Sequence, residues 1–237
     1  MLFEYVKCKK CNHINPPYKN ICTECKSYLR ERVVNIDLWN TILLIIEEPA
    51  KAFRQIIFSE HKNFIIFLTF FISLKNLIIA RFISVPELGA NGASVSLIFS
   101  LILMILITTV LTSSFSFIQN ILYSRKNITL RFQDFYAVYV YSFIPYLFGL
   151  IFIFPVELIV LGGDIFSNNP YSFQIKPLIS YILIGVELIT IIWSFFLIFK
   201  SILVVSEKKN FSILLTVSFS LVWILTLYIS SKIIFTL

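Results

Sequence analysis

Charge is scarce in this chain. Of its 237 residues only 14% are Asp, Glu, Lys or Arg, while 58% are hydrophobic. Soluble domains carry about 25% charged residues, so this composition does not suit a water-facing globule. Glycine and proline are also few, at six and eight against 25 phenylalanines. Histidine occurs twice, at His13 and His61, both ahead of the main hydrophobic part. There is no His-Glu-x-x-His, no Gly-x-Ser-x-Gly and no phosphate-binding loop. An intramembrane protease or lipid hydrolase needs such groups near its span ends, so the chain is not expected to be an enzyme. The first 35 residues hold no apolar stretch of the kind a cleavable leader needs. The first hydrophobic span is therefore expected to act as its own insertion signal. No internal repeat is visible, which counts against transporters built from inverted repeats.

What is abundant is apolar sequence, with a mean hydropathy of +0.86. Five spans are predicted, over 64–83, 95–122, 135–161, 178–204 and 211–235. Each supplies the ~20 mostly apolar residues that a crossing helix requires. Polar breaks separate them: Pro86-Glu87-Leu88-Gly89, Ser124-Arg125-Lys126-Asn127, Gly162-Gly163-Asp164 through Pro170, and Glu207-Lys208-Lys209-Asn210. Lys and Arg alternate along these breaks. Lys51, Arg54 and Lys62 precede span one, and the next loop has none. Arg125, Lys126 and Arg131 follow span two, and only Lys176 follows span three. Lys208 and Lys209 follow span four. That alternation predicts a cytoplasmic N-terminus and an outside C-terminus in a prokaryotic cell membrane. Asn127-Ile-Thr129 and Asn210-Phe-Ser212 match the glycosylation pattern, but both fall on the predicted inside and read as coincidence.

The formal charge of +7 raises the question of nucleic acid. Residues 1–62 hold ten Lys/Arg against seven Asp/Glu, a small excess. A nucleic-acid module shows a concentrated basic face, whereas the cluster here is only Lys7, Lys9 and Lys10. Nucleic acid is not an expected partner; the lipid bilayer is.

Residues 31–62 read as a connector. Glu47-Glu48-Pro49 is a helix start, with acids at the positive dipole end and Pro in the first turn. Ala52, Phe53, Ile56 and Ile57 then share one face, with Lys51, Arg54 and Gln55 on the other. Such a helix can lie in the membrane interface or pack on the membrane bundle. Ile36 to Ile46, with Trp39, is a second candidate for the interface.

Within the spans, Lys75 and Glu187 each fall near mid-membrane. Unpaired charges there cost about 2.5–3.5 kcal/mol on insertion scales, so they are candidates for an ion pair across spans one and four, with separate snorkelling as the alternative. Arg81 and Glu157 form a weaker candidate pair. Thr108, Thr112 and Ser116 make a small polar stripe suited to close packing or a polar path. Pro145 and Pro155 are expected to kink span three.

All four cysteines lie at the head, as Cys8-x2-Cys11-x10-Cys22-x2-Cys25. Two such hooks can set four thiolates tetrahedrally around one Zn2+ at ~2.3 Å each. About 20 residues cannot bury a useful core, so the metal would supply the folding energy. The predicted reducing side disfavours disulfides, and four thiolates leave no open catalytic position. His13 is read as exposed or secondary to the ligand set.

The stretch Cys8-Lys-Lys-Cys11-Asn-His-Ile-Asn15-Pro16-Pro17 with Cys22-Thr-Glu-Cys25 resembles the short zinc ribbons at the termini of many prokaryotic membrane proteins. In those ribbons Gly usually follows each second cysteine; here the positions hold Asn12 and Lys26. Asn tolerates the left-handed backbone that such a turn needs; Lys is less natural there. Residues 38–235 resemble the bacterial and archaeal branch of the Yip1 family. The matching elements are Pro49-Ala-Lys-Ala-Phe53 and Tyr141-Ser-Phe-Ile-Pro145, while the Asp-Leu-Tyr-Gly-Pro motif of eukaryotic members is absent. The resemblance implies a membrane scaffold or trafficking-type protein without known catalysis.

The expected protein is all-α and integral to the membrane. It has a zinc ribbon at 1–30, a connector with an interfacial amphipathic helix at 31–62, and a five-span domain at 63–237. Its metal ligands are Cys8, Cys11, Cys22 and Cys25, its cofactor structural Zn2+, and its partner a protein docked on the ribbon, with self-association open. The competing expectation is a small transporter or channel component with a polar pathway at Lys75 and Glu187.

Overall fold

The computed structural model describes residues 5–16, 19, 21–29, 33–88, 96–124, 130–162, 172–206 and 208–236. The predicted breaks at Gly89, 125–127, 163–170 and Glu207 lie outside these residues, as does the glycosylation pattern at Asn127.

After two short strands in the head, β1 (Val6–Lys7) and β2 (Ile14–Asn15), the described chain is mainly helical. Asp37 starts α1 (Leu38–Glu47) by accepting the N–H groups of Trp39 and Asn40 at 3.0 and 3.4 Å, the usual way an N-cap satisfies orphan donors. Pro49 opens α2 (Pro49–Phe58), where its missing N–H costs nothing. The predicted two-faced pattern of α2 is present. Its apolar face is covered by protein, however: Ala52, Phe53, Ile56 and Ile57 are at most 2% exposed. Of the two placements open for this helix, its apolar stripe takes packing within the fold, so those four side chains are not available to lipid.

Among the described residues, five helical stretches are long and apolar enough to cross a membrane: Ile65–Ile83, Leu97–Ser124, Ile144–Leu161, Pro177–Ser206 and Lys209–Ile234. They point to a membrane protein. They lie in α3 (Ile65–Leu88), α4 (Leu97–Ser124), a segmented third element, α9 (Pro177–Ser206) and α10 (Lys209–Thr236). A short α8 (Ser172–Ile175) precedes α9. Four of these elements match the predicted spans to within a few residues at each end.

The third does not. Predicted as one kinked span over 135–161, it is α5 (Phe132–Ser142), a turn at Phe143, α6 (Ile144–Phe148), a π-helical turn (Gly149–Ile153) and α7 (Phe154–Leu161). Pro145 and Pro155 open α6 and α7. Neither can donate to the preceding turn, and the ladder shifts at both points. The Tyr146 N–H finds a replacement acceptor in Ser194 Oγ at 3.1 Å. From Asp134 to Leu147 every residue is buried, whereas Ile151, Phe152 and Ile159 are 58–83% exposed. The first half of this element is protein core, and only its second half has a lipid-like surface.

The chain forms two compact units. One comprises Met1–Ile65, Thr112–Tyr141 and Leu197–Thr216; the other comprises Ile66–Leu111, Ser142–Phe196 and Val217–Leu237. These cut across the segmentation read from sequence. In the first, Tyr123 stacks on Phe135 with centroids 5.5 Å apart and meets Phe211 edge-on at 6.1 Å. In the second, Trp223 gathers Phe143, Tyr146 and Phe195 at 5.5–5.9 Å. The Thr108, Thr112 and Ser116 stripe is buried throughout, as close packing requires.

Candidate metal centre and buried ion pair

The head is built from one small unit used twice. Cys8 and Cys22 correspond, as do Cys11 and Cys25, each 14 positions apart. In both copies the N–H of the first cysteine donates to the carbonyl five residues on: Cys8 to His13 and Cys22 to Ser27, each at 2.9 Å. The N–H after the second cysteine returns to the first, Asn12 to Cys8 at 2.9 Å and Lys26 to Cys22 at 3.2 Å. Both returning residues are left-handed, with φ of 60° at Asn12 and 54° at Lys26. The strand pairing repeats too: Lys7 faces Ile14 between β1 and β2, and Ile21 faces Tyr28. The repeat escapes sequence inspection because outside the cysteines the equivalent side chains differ. Lys26 takes the strained backbone that glycine usually fills because the turn, not the residue, sets the geometry.

This doubling places four sulfurs together. All lie within 4.8 Å of one another, with Cys8–Cys25 and Cys11–Cys22 at 3.5 Å. Bonds of ~2.3 Å to a tetrahedral Zn2+ separate sulfurs by ~3.8 Å, so the set fits such an ion with small adjustment. All four are free thiols, unlinked by disulfides. The remaining core is small: Cys8, Cys22 and Leu29, with Val6 and Cys25 against them.

Neighbouring donors suit the anionic form that a metal needs. Ser27 Oγ lies 3.2 Å from Cys8 Sγ and 2.9 Å from Cys25 Sγ. Together with the backbone at Cys11 and Lys10, the Ser27 bond holds the Cys8 thiol down at about 6. Desolvation would raise Cys22, but the backbone at Cys25 and Glu24 and the Asn15 amide outweigh it and leave it lowered. Cys11 goes the other way. Despite a lowering bond from the His13 backbone, desolvation and its sulfur neighbours push it up to about 12, as expected when clustered thiols share protons. Asn15 is fully buried. It donates to His13 O at 3.0 Å and Cys22 Sγ at 3.4 Å, and accepts from Thr23 N at 2.9 Å. Nothing in the sequence singles out Ser27, because its role depends on folding back across both hooks. His13 pairs with Glu24 at 3.5 Å, both partly exposed.

The second predicted site lies in the other unit. Lys75 of α3 donates to Glu187 Oε1 of α9. Their residues are 0% and 6% exposed. The Lys75 ammonium also sits 5.8 Å from the centroid of the Tyr146 ring, within cation–π range. The Tyr146 hydroxyl donates to Asn76 Oδ1 at 2.9 Å, and Asn76 Nδ2 donates to Thr108 Oγ1 at 3.1 Å. Polar groups from α3, α4, α6 and α9 therefore form one buried set. Gly149 makes the close approach possible: a Cβ there would lie 2.8 Å from Glu187 Oε2 and 3.0 Å from Lys75 Nζ. Glu187 Oε2 has no hydrogen-bond partner among the described residues. The weaker predicted pair, Arg81 with Glu157, is not seen among the described residues. Glu157 is buried with its own Oε2 unpartnered, and no ion pair joins it to Arg81 among the described residues.

No protein-family model matches this chain, and neither a curated protein nor a solved structure matches it.

Proposed function

We propose that this is a non-enzymatic, five-span membrane protein of the Yip1 type that organises membrane or protein partners, with a structural zinc ribbon as its docking head. The observation carrying this reading is the doubled cysteine unit on a chain with five membrane-length helices. Cys8, Cys11, Cys22 and Cys25 would hold the ion, which would supply folding energy that a core of a few side chains cannot. Closed four-sulfur coordination favours a structural role over a catalytic one. The short elements behind the family resemblance also have places in the fold. Pro49 starts α2, Phe53 is fully buried, and the Tyr141 hydroxyl donates to the Asn63 carbonyl where α3 is about to begin. In this reading the N-terminus is cytoplasmic and the C-terminus outside.

Metal analysis of the purified protein should give one zinc per chain, lost in Cys22→Ser, Cys25→Ser. Affinity capture from membranes with that variant should lose the partners specific to the intact head. A metal-free wild type with an ordered head would overturn the ribbon, and identical partner sets would overturn docking.

A transporter or channel component is the second reading, favoured by the unpartnered Glu187 Oε2. Lys75→Ala, Glu187→Ala distinguishes them: loss of ion or substrate flux from a still-folded protein would favour transport.

A further inference from the structure

The outer face of α1 is uncovered among the described residues. Trp39, Leu43 and Ile46 are 76%, 58% and 45% exposed. At about 100° per residue they fall on one stripe. The opposite face carries Thr41 and Ile45, which are buried. Asn40 and Glu47 share an edge roughly a quarter-turn from the stripe, and both are exposed. The helix therefore presents a protein-facing side, a polar edge and an open apolar stripe.

We propose that α1, and not α2, is the connector element that lies in the bilayer interface, with Trp39, Leu43 and Ile46 inserted among lipid acyl chains. Three observations select lipid over a protein partner. First, the described residues of the same chain include five helices of membrane-crossing length, so a bilayer would lie beside its connector. Second, α1 has ten residues, about half the length a crossing helix needs, so it can lie on the interface but not span it. Third, the stripe begins with a tryptophan beside the polar Asp37 cap, and indole rings concentrate at the headgroup level. α2, the better amphipathic pattern in sequence, has already spent its apolar face inside the fold. The α1 helix contains no Lys or Arg. Its insertion would be driven by apolar area and be indifferent to lipid charge and to salt, unlike a basic surface helix.

The inference rests on the membrane reading, and its test separates the two. The full-length protein is reconstituted in vesicles containing lipids brominated along the acyl chain, and tryptophan emission is recorded for wild type and Trp39→Phe. Trp39 is exposed, so this change should leave folding intact. The difference spectrum isolates Trp39, and the residual emission reports Trp193 in α9 and Trp223 in α10. The expected result is bromine quenching of both components. Trp39 should resist aqueous iodide, equally in zwitterionic and anionic vesicles. Quenching of the residual emission without quenching of Trp39 would overturn the α1 proposal alone. In that case iodide access would place Trp39 in water, and shielding from both quenchers would place it under protein. Loss of bromine quenching from the residual emission as well would overturn the membrane reading itself.

Discussion

Lys62 and Lys75 are both closed off from solvent, with side chains 2% and 0% exposed, and they are held in opposite ways. Lys62 follows the C-terminal end of α2. Its ammonium donates to the carbonyls of Ile56, Ile57 and Ser59 and to the Ser59 hydroxyl, and it faces Asp134 Oδ1 at 3.0 Å. Asp134 is shared in turn with Arg131, whose guanidinium also reaches the carbonyls of Ser59 and Glu60 at 2.8 and 3.1 Å. Lys75 has one carboxylate and one aromatic ring. The cause is where each sits along its helix. A helix end leaves its last carbonyls without partners and carries partial negative charge. A helix middle has no carbonyl to spare, so only side chains from other helices can serve. Burial near a helix end is thus redundantly compensated, and burial mid-helix depends on a single hydrogen-bonded anion, with the buried Glu157 carboxylate within electrostatic range.

The largest effect should come from removing that anion. Glu187→Ala leaves Lys75 buried without its hydrogen-bonded counter-charge and should cost about 3–5 kcal/mol, whereas Lys75→Met, Glu187→Leu should restore most of the loss. Asp134→Asn, which leaves Lys62 its carbonyls, should cost less, about 1.5–3 kcal/mol. Unfolding of the three variants in detergent ranks them. An Asp134→Asn protein less stable than Glu187→Ala would break the comparison.

Redundancy does not remove the cost of burial, and pH can expose what is left. Burial pushes the Lys62 ammonium from 10.5 down to about 8; the attraction of Asp134 offsets part of this, and Arg131 adds to the fall. Over that window the unfolded chain binds the proton more tightly than the folded one. Stability should therefore rise as pH increases from about 8 towards 10.5, by up to ~1.4 kcal/mol per unit. Unfolding measured across this range in wild type and Lys62→Met tests the sign. The Met variant should lack the rise; an unchanged slope would assign it to other groups.

Little of this contrast was legible in the sequence. Hydropathy located the long helices because apolar runs of that length have few other uses. The cysteine hooks pointed to the four-sulfur cluster because its spacing is local. In sequence Lys62 and Arg131 read as topology markers, since counting charge takes no account of which carbonyls lie within reach. The split of the third span at Phe143 was only half visible. Pro145 and Pro155 announced irregularity, but the extent of the break depends on Ser194 supplying an acceptor from 48 residues away. Phe64, with φ of 66° just before α3, carried no signal, because aromatic residues rarely adopt that backbone. The apolar face of α2 was visible as a pattern, but not what covers it, which is set by tertiary packing.

Gly149 offers the finest test of the single-anion arrangement. Its π-helical turn brings backbone against the carboxylate and ammonium together, and a Cβ would meet Glu187 Oε2 at 2.8 Å, Lys75 Nζ at 3.0 Å and Glu187 Oε1 at 3.2 Å. Gly149→Ala should therefore destabilise by about 1–3 kcal/mol, the usual range for overpacking. Gly185, inside α9, has nothing within 4 Å of the place a Cβ would take. Gly185→Ala should be neutral or stabilise by up to about 1 kcal/mol through helix propensity. The two substitutions add the same methyl group, so a difference between them reports the neighbours. If the clash with the ion pair is the cause, the Gly149→Ala penalty should shrink when Lys75→Met, Glu187→Ala is already present, because coupled sites are non-additive. An undiminished penalty in that background would locate the strain in the π-helical backbone, and the closeness of Gly149 to the pair would then have no energetic part in holding Lys75.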